Sequence, residues 1–242
     1  MSAALFLVGA VPPGGRFTLD GDEGHHAATV ARMRPGEVLL LGDGRGTLAE
    51  ATVVDVGRGT LEVGLTRRWF DGLQAPRLVV AQGIAKGERG ELAVQAMTEV
   101  GVDEILPWAA SRSIVRWREE RGDRSRQRWI DTARESTKQA RRAWLPLIPQ
   151  AQSTEAVIGR FSTATAALIL HEDARIPLST VPLSGGGELL LVVGPEGGIA
   201  PEELTAFVAA GATPVRLGRT VLRTSTAGVA ALSLLNARLG RW

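Results

Sequence analysis

The sequence predicts a two-part protein whose larger part is an α/β domain: a mostly parallel sheet with helices on both faces. Residues 1–72 hold several short strand-like segments separated by turn residues, which is typical of a small β-barrel. Beyond about residue 76, apolar strand segments alternate with helical ones, as in parallel sheets. Within that second part, Leu189–Glu203 joins a buried strand, a glycine loop and a helix start, the arrangement in which open α/β sheets bind cofactors.

The first part is predicted to be mainly β-structure. Asp43–Gly46 has the composition of a hairpin turn, and only the stretch after His25 has helical character. Phe70–Pro76 is predicted to link the two parts. The predicted strands are Leu5–Val8, Arg16–Leu19, Glu37–Leu41, Leu48–Val56 and Leu61–Arg67.

The second part is predicted to alternate strands and helices. Gly101 and Gly211 are typical C-caps, and Thr224, Ser225 and Thr226 are competent N-caps for the last helix. The predicted strands are Leu78–Gln82, Glu104–Pro107, Ala166–His171, Glu188–Val193 and Val215–Leu217. The predicted helices are Glu88–Val100, Arg124–Arg142, Thr154–Phe161, a segment containing Thr205–Ala210, and Thr224–Leu239.

Composition excludes several classes of protein. The 242 residues include no cysteine, so disulfides, thiolate catalysis and cysteine zinc sites are excluded. The three histidines, His25, His26 and His171, lack metal-ligand spacing, so no metal is expected. No apolar run reaches about 18 residues, and no phosphate-binding loop, dinucleotide fingerprint or nucleophile elbow is present. We expect a cytoplasmic protein with no membrane contact.

Residues 112–142 carry most of the basic excess of the chain. Ten arginines and Lys138 stand there against five acids, while the whole chain has a formal charge of only +2. A run of this kind often forms a solvated helix face. The imbalance, with Trp117, Trp129 and Trp144 interleaved, favours a nucleic-acid surface, because arginine suits contacts with phosphates and bases.

Five motifs, which together span nearly the whole chain, resemble a known family. They are His25-His26 with Val30, Arg32 and Pro35-Gly36; Lys86-Gly87 with Gln95–Val102, Pro107 and Ser111–Val115; Arg134–Arg142 with Leu145-Pro146; Gly194–Gly198; and Leu217-Gly218 with Leu222–Ala227. Their order and type resemble the bacterial 16S rRNA (uracil-N3)-methyltransferase family of the SPOUT class. Two positions depart from the family pattern: Ser225 stands where an acidic residue is frequent, and Thr29 where an arginine is frequent.

The resemblance implies a PUA-like RNA-binding β-barrel over residues 1–72 and a SPOUT domain with a C-terminal trefoil knot over residues 73–242. It implies S-adenosyl-L-methionine as the cofactor, held by the loop after Leu170-His171, the loop Gly194–Gly198 and the segment Leu217–Thr224. The residues expected to bind it are Leu170, His171, Gly194, Pro195, Glu196, Gly197, Gly198, Leu217, Gly218, Val221, Leu222, Arg223 and Thr224.

The implied reaction transfers a methyl group to N3 of uracil at a specific uridine of 16S rRNA. Uracil N3 must lose its proton before or during the attack, and a nearby arginine can stabilise the resulting negative charge. Arg223 is the first catalytic candidate because its motif places it at the cofactor loop; Arg112 and Glu196 follow. A simple helix-end charge explains Arg223 equally well.

The expected partners are 16S rRNA of the 30S subunit and a second copy of the chain. The candidate RNA-binding residues are His25, His26, Arg32, Arg34, Arg116, Arg118, Arg141 and Arg142. An ordinary surface turn also explains His25 and His26. The apolar stripe Val229, Leu232, Leu235 and Leu239 of the last helix is a candidate dimer interface, although core packing explains it as well.

Three other functions stay open at this point. A SPOUT enzyme that methylates a ribose 2′-oxygen would differ in its product. A non-catalytic rRNA-binding assembly factor would bind RNA without binding the cofactor. An α/β enzyme acting on a small molecule is the third alternative, and the basic segment argues against it.

Overall fold

The computed structural model describes residues 3–242 and contains two compact units. The first unit comprises the chain up to Leu73 together with Thr137–Leu145. The second comprises Gln74–Ser136 and Pro146–Trp242. The chain therefore contributes one short later segment to the first unit, an arrangement for which the sequence pattern has no signal.

The first unit is built on a five-stranded sheet of order β1-β3-β4-β5-β2. Its ladders are antiparallel except that β1 runs parallel to β3. Alternate side chains of the strands enclose one apolar core that includes Phe6, Leu39 and Leu61. The elements are β1 (Ala4–Leu7), β2 (Arg16–Leu19), α1 (Gly21–His25) continued by a π-helical turn (His26–Val30), β3 (Val38–Gly42), β4 (Thr47–Gly57) and β5 (Thr60–Phe70).

Residues 137–145 belong to the first unit because several of their side chains pack or form hydrogen bonds within it. Ala143 packs in an apolar cluster with Leu5 and Leu48. The indole nitrogen of Trp144 donates to the backbone oxygen of Asp71 at 2.7 Å. Lys138 forms a largely buried ion pair with Glu23 at 3.2 Å.

The second unit is an α/β domain with a six-stranded, wholly parallel sheet of order β7-β6-β10-β8-β11-β9. The two-residue strand β9 and the 3₁₀ turn Leu178–Thr180 after it were not predicted. The elements are β6 (Arg77–Gly83), α2 (Arg89–Glu99), β7 (Glu104–Trp108), α3 (Glu119–Gln139), α4 (Thr154–Phe161), β8 (Ala166–Leu170), β9 (Ile176–Pro177), β10 (Glu188–Val193), α5 (Pro201–Ala209), β11 (Thr213–Arg216) and α6 (Thr224–Arg238).

Both faces of this sheet are covered, as the apolar strands predict. Leu190 and Val192 of β10 pack on one face with Phe161 of α4 and Phe207 of α5. Leu191 points to the opposite face because side chains alternate along a strand, and it is equally buried. On that face α6 packs against α2, β6 and β10.

Both bounds of the predicted helix Arg124–Arg142 are wrong, because α3 begins five residues earlier, at Glu119, and ends three residues earlier, at Gln139. Arg141 adopts a left-handed backbone conformation, with φ of 51°. The N–H of Arg142 then donates to the carbonyl of Thr137 at 3.0 Å. This pattern closes a helix and redirects the chain, although glycine is the usual residue at such a position.

Two residues of the candidate dimer stripe on α6 lie in the core of the subunit. Leu232 and Leu235 are each about 1% exposed. Packing against the sheet and α2 therefore explains why these two positions are apolar. Neither side chain can contact a second copy of the chain. Among residues 3–242, no helix is long and apolar enough to cross a membrane.

Candidate cofactor cleft

A cleft of about 800 Å³ lies at the carboxyl ends of β8, β10 and β11. These are neighbouring strands of the parallel sheet, with β8 in the middle. Three segments line it: the β8 loop (His171–Asp173), the β10 loop (Gly194–Ala200) and the β11 loop (Leu217–Arg223). Parallel strands bring their carboxyl ends to one edge, so loops far apart in sequence form one site.

The β10 loop has a conformation and a position that require glycine. Gly198 has φ of 72°, which favours a residue without Cβ. At the end of β6, a Cβ on Gly83 would lie 2.5 Å from the backbone nitrogen of Pro195. The loop therefore passes directly over the end of β6.

Thr224, the first residue of α6, connects the β10 loop to β6. Its hydroxyl donates to the carbonyl of Gly194 at 2.8 Å. It accepts from Nε2 of Gln82, which is fully buried, at 2.9 Å. Gln82 was not singled out from the sequence, although it is a polar residue at the end of an otherwise apolar strand.

The cleft brings together all the residues predicted to bind a cofactor. They are spread over 54 positions of the chain, from Leu170 to Thr224, yet each lines the same space. These residues are Leu170, His171, Gly194, Pro195, Glu196, Gly197, Gly198, Leu217, Gly218, Val221, Leu222, Arg223 and Thr224.

The three catalytic candidates also line this cleft. Arg223 occupies the N-cap position of α6 and is exposed. Arg112 donates from Nη1 to the carbonyl of Gly197 at 3.3 Å. Oε1 of Glu196 accepts from the backbone nitrogen of Lys86 at 3.0 Å and from Nη1 of Arg89 at 3.3 Å.

Several charged residues of the cleft were not predicted from the sequence. Arg89 comes from the first turn of α2, and no local pattern connects it to the glycine loops. Glu172 and Asp173 directly follow His171 at the end of β8, so their position beside a predicted cofactor loop was a usable signal. His171 is held in the turn because its Nδ1 accepts from the backbone nitrogen of Asp173 at 3.2 Å.

In the first unit, four of the predicted RNA-binding residues are exposed around α1 and the π-helical turn. They are His25, His26, Arg32 and Arg34. His25 lies 3.4 Å from the hydroxyl of Thr29, and the ring of His26 packs edge-on against Phe6. Arg32 has φ of 53°, a conformation that is uncommon outside glycine. Arg141 and Arg142 belong to the same unit, the first exposed and the second partly buried.

Arg116 and Arg118 of the second unit are exposed, between β7 and α3. One tryptophan of the basic segment, Trp129, has a packing role, which corrects the interpretation that its ring contributes to a nucleic-acid surface. Trp129 is only 3% exposed and meets the ring of Trp117 edge-on, with 4.9 Å between ring centroids. A buried ring cannot stack on a base.

Within the described part of the chain, no group of three or more His, Cys, Asp or Glu side chains is placed to hold a metal ion. The candidate site is the cleft, with its backbone groups, its apolar loop residues and its charged side chains.

Comparison with known proteins supports this description of the fold. Residues 73–236 match the family model of an RNA methyltransferase domain, and residues 19–66 match that of an RNA methyltransferase PUA domain. The chain is 45% identical to the ribosomal RNA small subunit methyltransferase E of Mycobacterium tuberculosis, over all of this chain and 94% of the relative. It is 26% identical to the Bacillus subtilis protein of the same name, over 91% and 89% of the two chains.

Two solved structures resemble this protein over nearly its full length. A ribosomal RNA small subunit methyltransferase E from Neisseria gonorrhoeae, bound to S-adenosyl methionine, is 26% identical, with a TM-score of 0.87 and 98% of each chain covered. A putative methyltransferase from Legionella pneumophila, in complex with the same cofactor, is 29% identical, with a TM-score of 0.88 and the same coverage.

The fold and the cleft define an α/β protein of the SPOUT class preceded by a PUA domain. The chain belongs to the ribosomal RNA small subunit methyltransferase E family. The resemblance seen in the five sequence motifs is thereby confirmed.

Proposed function

We propose that the protein methylates N3 of one uridine in 16S rRNA, with S-adenosyl-L-methionine as the methyl donor. The observation that carries the proposal is the cleft at the carboxyl ends of β8, β10 and β11, where every residue predicted to bind the cofactor meets. Its relatives bear the name of a small-subunit rRNA methyltransferase, and two similar structures contain this cofactor.

The residues of the cleft suit this cofactor. Its volume lies within the range of small-molecule sites, about 300–1,000 Å³. Leu170, Val221 and Leu222 offer apolar surface for adenine, while Glu172 and Asp173 offer carboxylates for the ribose hydroxyls and the cationic groups. When bound, S-adenosylmethionine supplies an electrophilic methyl group on its sulfonium.

The protein must then present the uracil ring and accept the charge that develops on it. Arg223 lies at the N-terminus of α6, where the helix dipole disfavours a cation. A simple helix-end role is therefore a poor explanation for this arginine, and its position at the cleft supports a role in binding an anion. Arg223 and Arg112 would stabilise the carbonyl oxygens of the deprotonated uracil.

Glu196 has a supporting role in this proposal. Its Oε1 is already engaged with Lys86 and Arg89, and its side chain is largely buried, 15% exposed. Glu196 would hold the guanidinium of Arg89 at the rim of the cleft, where it can meet a phosphate of the RNA. The arginines of both units would supply further phosphate contacts, which position the RNA without reading its sequence.

We infer that the protein acts in the cytoplasm on the 30S subunit and forms a homodimer. The remaining half of the α6 stripe, Val229 and Leu239, is only partly buried and can contribute to such an interface. Sedimentation velocity between about 1 and 100 μM tests this proposal. A single monomer boundary across that range would rule the homodimer out.

Cofactor binding is the first experiment, by calorimetric titration of S-adenosylmethionine. Gly218 lines the cleft, its φ is ordinary, and a Cβ there would have nothing within 4 Å. Gly218→Trp should therefore fill the cleft without straining the backbone and abolish micromolar binding. Gly159→Trp is the matched control, because Gly159 is an exposed α4 residue with equally open space.

Nucleoside mass analysis of 16S rRNA after reaction then identifies the product. N3-methyluridine supports the proposal, whereas a 2′-O-methylated nucleoside would mean a different SPOUT reaction. RNA binding by a wild-type protein that does not bind the cofactor would instead make it a non-catalytic assembly factor.

A further inference from the structure

Glu203, in the first turn of α5, is a buried carboxylate with an unusual number of hydrogen-bond donors. It is 7% exposed. Its Oε1 accepts from the backbone nitrogen of Ser111 at 2.9 Å and from the hydroxyl of Thr154 at 2.8 Å. Its Oε2 accepts from the hydroxyl of Ser111 at 2.9 Å and from the backbone nitrogen of Ala200 at 3.3 Å. The carboxylate thus connects α5, the β10 loop, α4 and the segment after β7.

The segment held by Glu203 carries a cleft arginine. Arg112 follows Ser111 directly, and its guanidinium donates to the carbonyl of Gly197 in the β10 loop. A Cβ on Gly197 would lie 3.0 Å from the backbone oxygen of Arg112, so the two segments are in close contact. Both hydrogen bonds that Ser111 donates end on one carboxylate.

Helix capping alone does not require this arrangement. A carboxylate at the third position of α5 needs only the backbone nitrogen of Ala200 to close the helix start, and that bond is the longest of the four. The three shorter bonds reach residues about 50 and 90 positions away in the sequence. The neighbouring Glu202 is exposed and would serve the helix dipole equally well.

We infer that Glu203 is a positioning residue for methyl transfer: it holds the Ser111-Arg112 segment so that the Arg112 guanidinium lies over the cleft. This inference rests on the proposed function, because Arg112 needs a reacting base to act on. A carboxylate is a suitable acceptor for holding this segment in place, since hydrogen bonds to ionised groups are about twice as strong as those between neutral groups. A small displacement of a catalytic group is enough to slow a reaction strongly.

The test is a double-mutant cycle on rRNA methylation with Glu203→Gln and Arg112→Ala. Glutamine keeps the size of the side chain but presents an NH₂ group to donors, so the segment should loosen. We expect each single variant to lower kcat by about 10–100-fold, with the cofactor Kd changed less than about threefold. The double variant should be no slower than Arg112→Ala, because Glu203 acts through Arg112. Multiplying losses in the double variant would overturn the inference.

Hydrogen exchange provides a second measurement that does not depend on activity. In Glu203→Gln the backbone amides of residues 111–116 should lose protection, while the exposed neighbour variant Glu202→Gln should match the wild type in exchange and in kcat. Should Glu203→Gln fail to fold, Ser111→Ala replaces it, because it removes one bond to the carboxylate and keeps the backbone one. Unchanged exchange in residues 111–116 would overturn the inference, whereas an inactive wild type with the expected exchange would overturn only the proposed function.

Discussion

Thr224 is a single residue on which three chain segments depend. Its hydroxyl lies between the fully buried amide of Gln82 and the carbonyl of Gly194. Without this hydroxyl the Gly194 carbonyl would lose a donor and the Gln82 amide nitrogen one of its two acceptors, and a polar group left without a hydrogen bond away from water costs about 1–3 kcal/mol. The position of the β10 loop, and with it the floor of the cleft, therefore depends on one side chain.

Thr224→Val, which has almost the same shape but no hydroxyl, should weaken S-adenosylmethionine binding about tenfold. The reason is that the Gly194 carbonyl loses its donor and the β10 loop is no longer held. Thr224→Ser keeps the hydroxyl and should bind within about twofold of the wild type. Calorimetric titration of both variants checks this, and equal affinities of the two variants would contradict it.

At the scale of elements, the amino ends of three strands are joined by an ion-pair network on the edge of the sheet opposite the cleft. Glu104 begins β7 and Glu188 begins β10, and both are buried. Arg160 of α4 donates to both carboxylates at 3.0–3.1 Å, and Arg77 at the start of β6 lies within 3.6 Å of both. The Glu104 carboxylate raises the pKa of Arg160, so its charge is always present.

Arg160→Met should lower the free energy of unfolding by about 3 kcal/mol, because two buried carboxylates then share only Arg77. Urea denaturation measures this loss. The control is Arg16→Met, which breaks an exposed pair with Glu62 at 3.4 Å and should cost less than about 1 kcal/mol. Cofactor affinity should not change in either variant, since both substitutions lie away from the cleft. If the two variants lost the same unfolding free energy, the network would have no special structural role.

The turn between β3 and β4 is closed by the side chain of Asp43. Its Oδ1 accepts from the backbone nitrogens of Arg45 at 2.7 Å and Thr47 at 3.0 Å. Partial burial raises the pKa of Asp43, but these hydrogen bonds outweigh that effect and hold the pKa below its usual range. The ionised form is therefore the one that stabilises the turn.

Asp43→Ala should cost about 1–2 kcal/mol at neutral pH. Because the folded pKa is lowered, the contribution of the carboxylate is complete above the unfolded pKa of about 4 and is lost as the pH falls through the folded value. The difference in unfolding free energy between wild type and variant should thus shrink as the pH is lowered from about 5 to 2. A difference that stays constant over this range would show that the carboxylate charge has no part in it.

At the scale of the whole molecule, the formal charge of +2 hides an uneven distribution. Exposed arginines occur in both units, including Arg32 and Arg34 in the first and Arg116 and Arg118 in the second. Binding through such residues releases counterions from RNA, so it weakens as salt rises. Salt dependence is therefore the measurement that separates an RNA surface from solvated charge.

Arg116→Ala and Arg118→Ala should each weaken binding to a 16S rRNA fragment severalfold and lower the slope of log K against log salt by about one. Fluorescence anisotropy at several salt concentrations checks this. Arg16→Ala is the matched control, because its charge is already balanced by Glu62, and its slope should equal that of the wild type. Unchanged slopes in both test variants would exclude Arg116 and Arg118 from the RNA surface.

The sequence by itself determined most of the strands and helices and the glycine loops of the cleft, although not the short strand β9 or the bounds of α3. These features depend on only a few neighbouring residues. One example is the left-handed turn at Gly198, and another is the start of α5 soon after the apolar strand β10. Such local signals can be recognised in a short stretch of sequence. Parallel strands then bring the loops at their carboxyl ends to one edge of the sheet. The resemblance of the motifs to a known family assigned Leu170, Gly194 and Leu217 to one site, and all three line the same cleft.

Only the tertiary structure decided which distant residues complete that site and which apolar residues are buried and cannot contact a partner. Arg89 at the rim and the carboxylate of Glu203 reach their partners across about 90–110 positions, and Trp129 is buried where its basic surroundings suggested exposure. Such contacts depend on packing free energy summed over the whole fold, which no short window of sequence contains. The sequence pattern predicts a long helix here, over Arg124–Arg142, but its actual bounds at Glu119 and Gln139 and the burial of Lys138 against Glu23 are set by the fold.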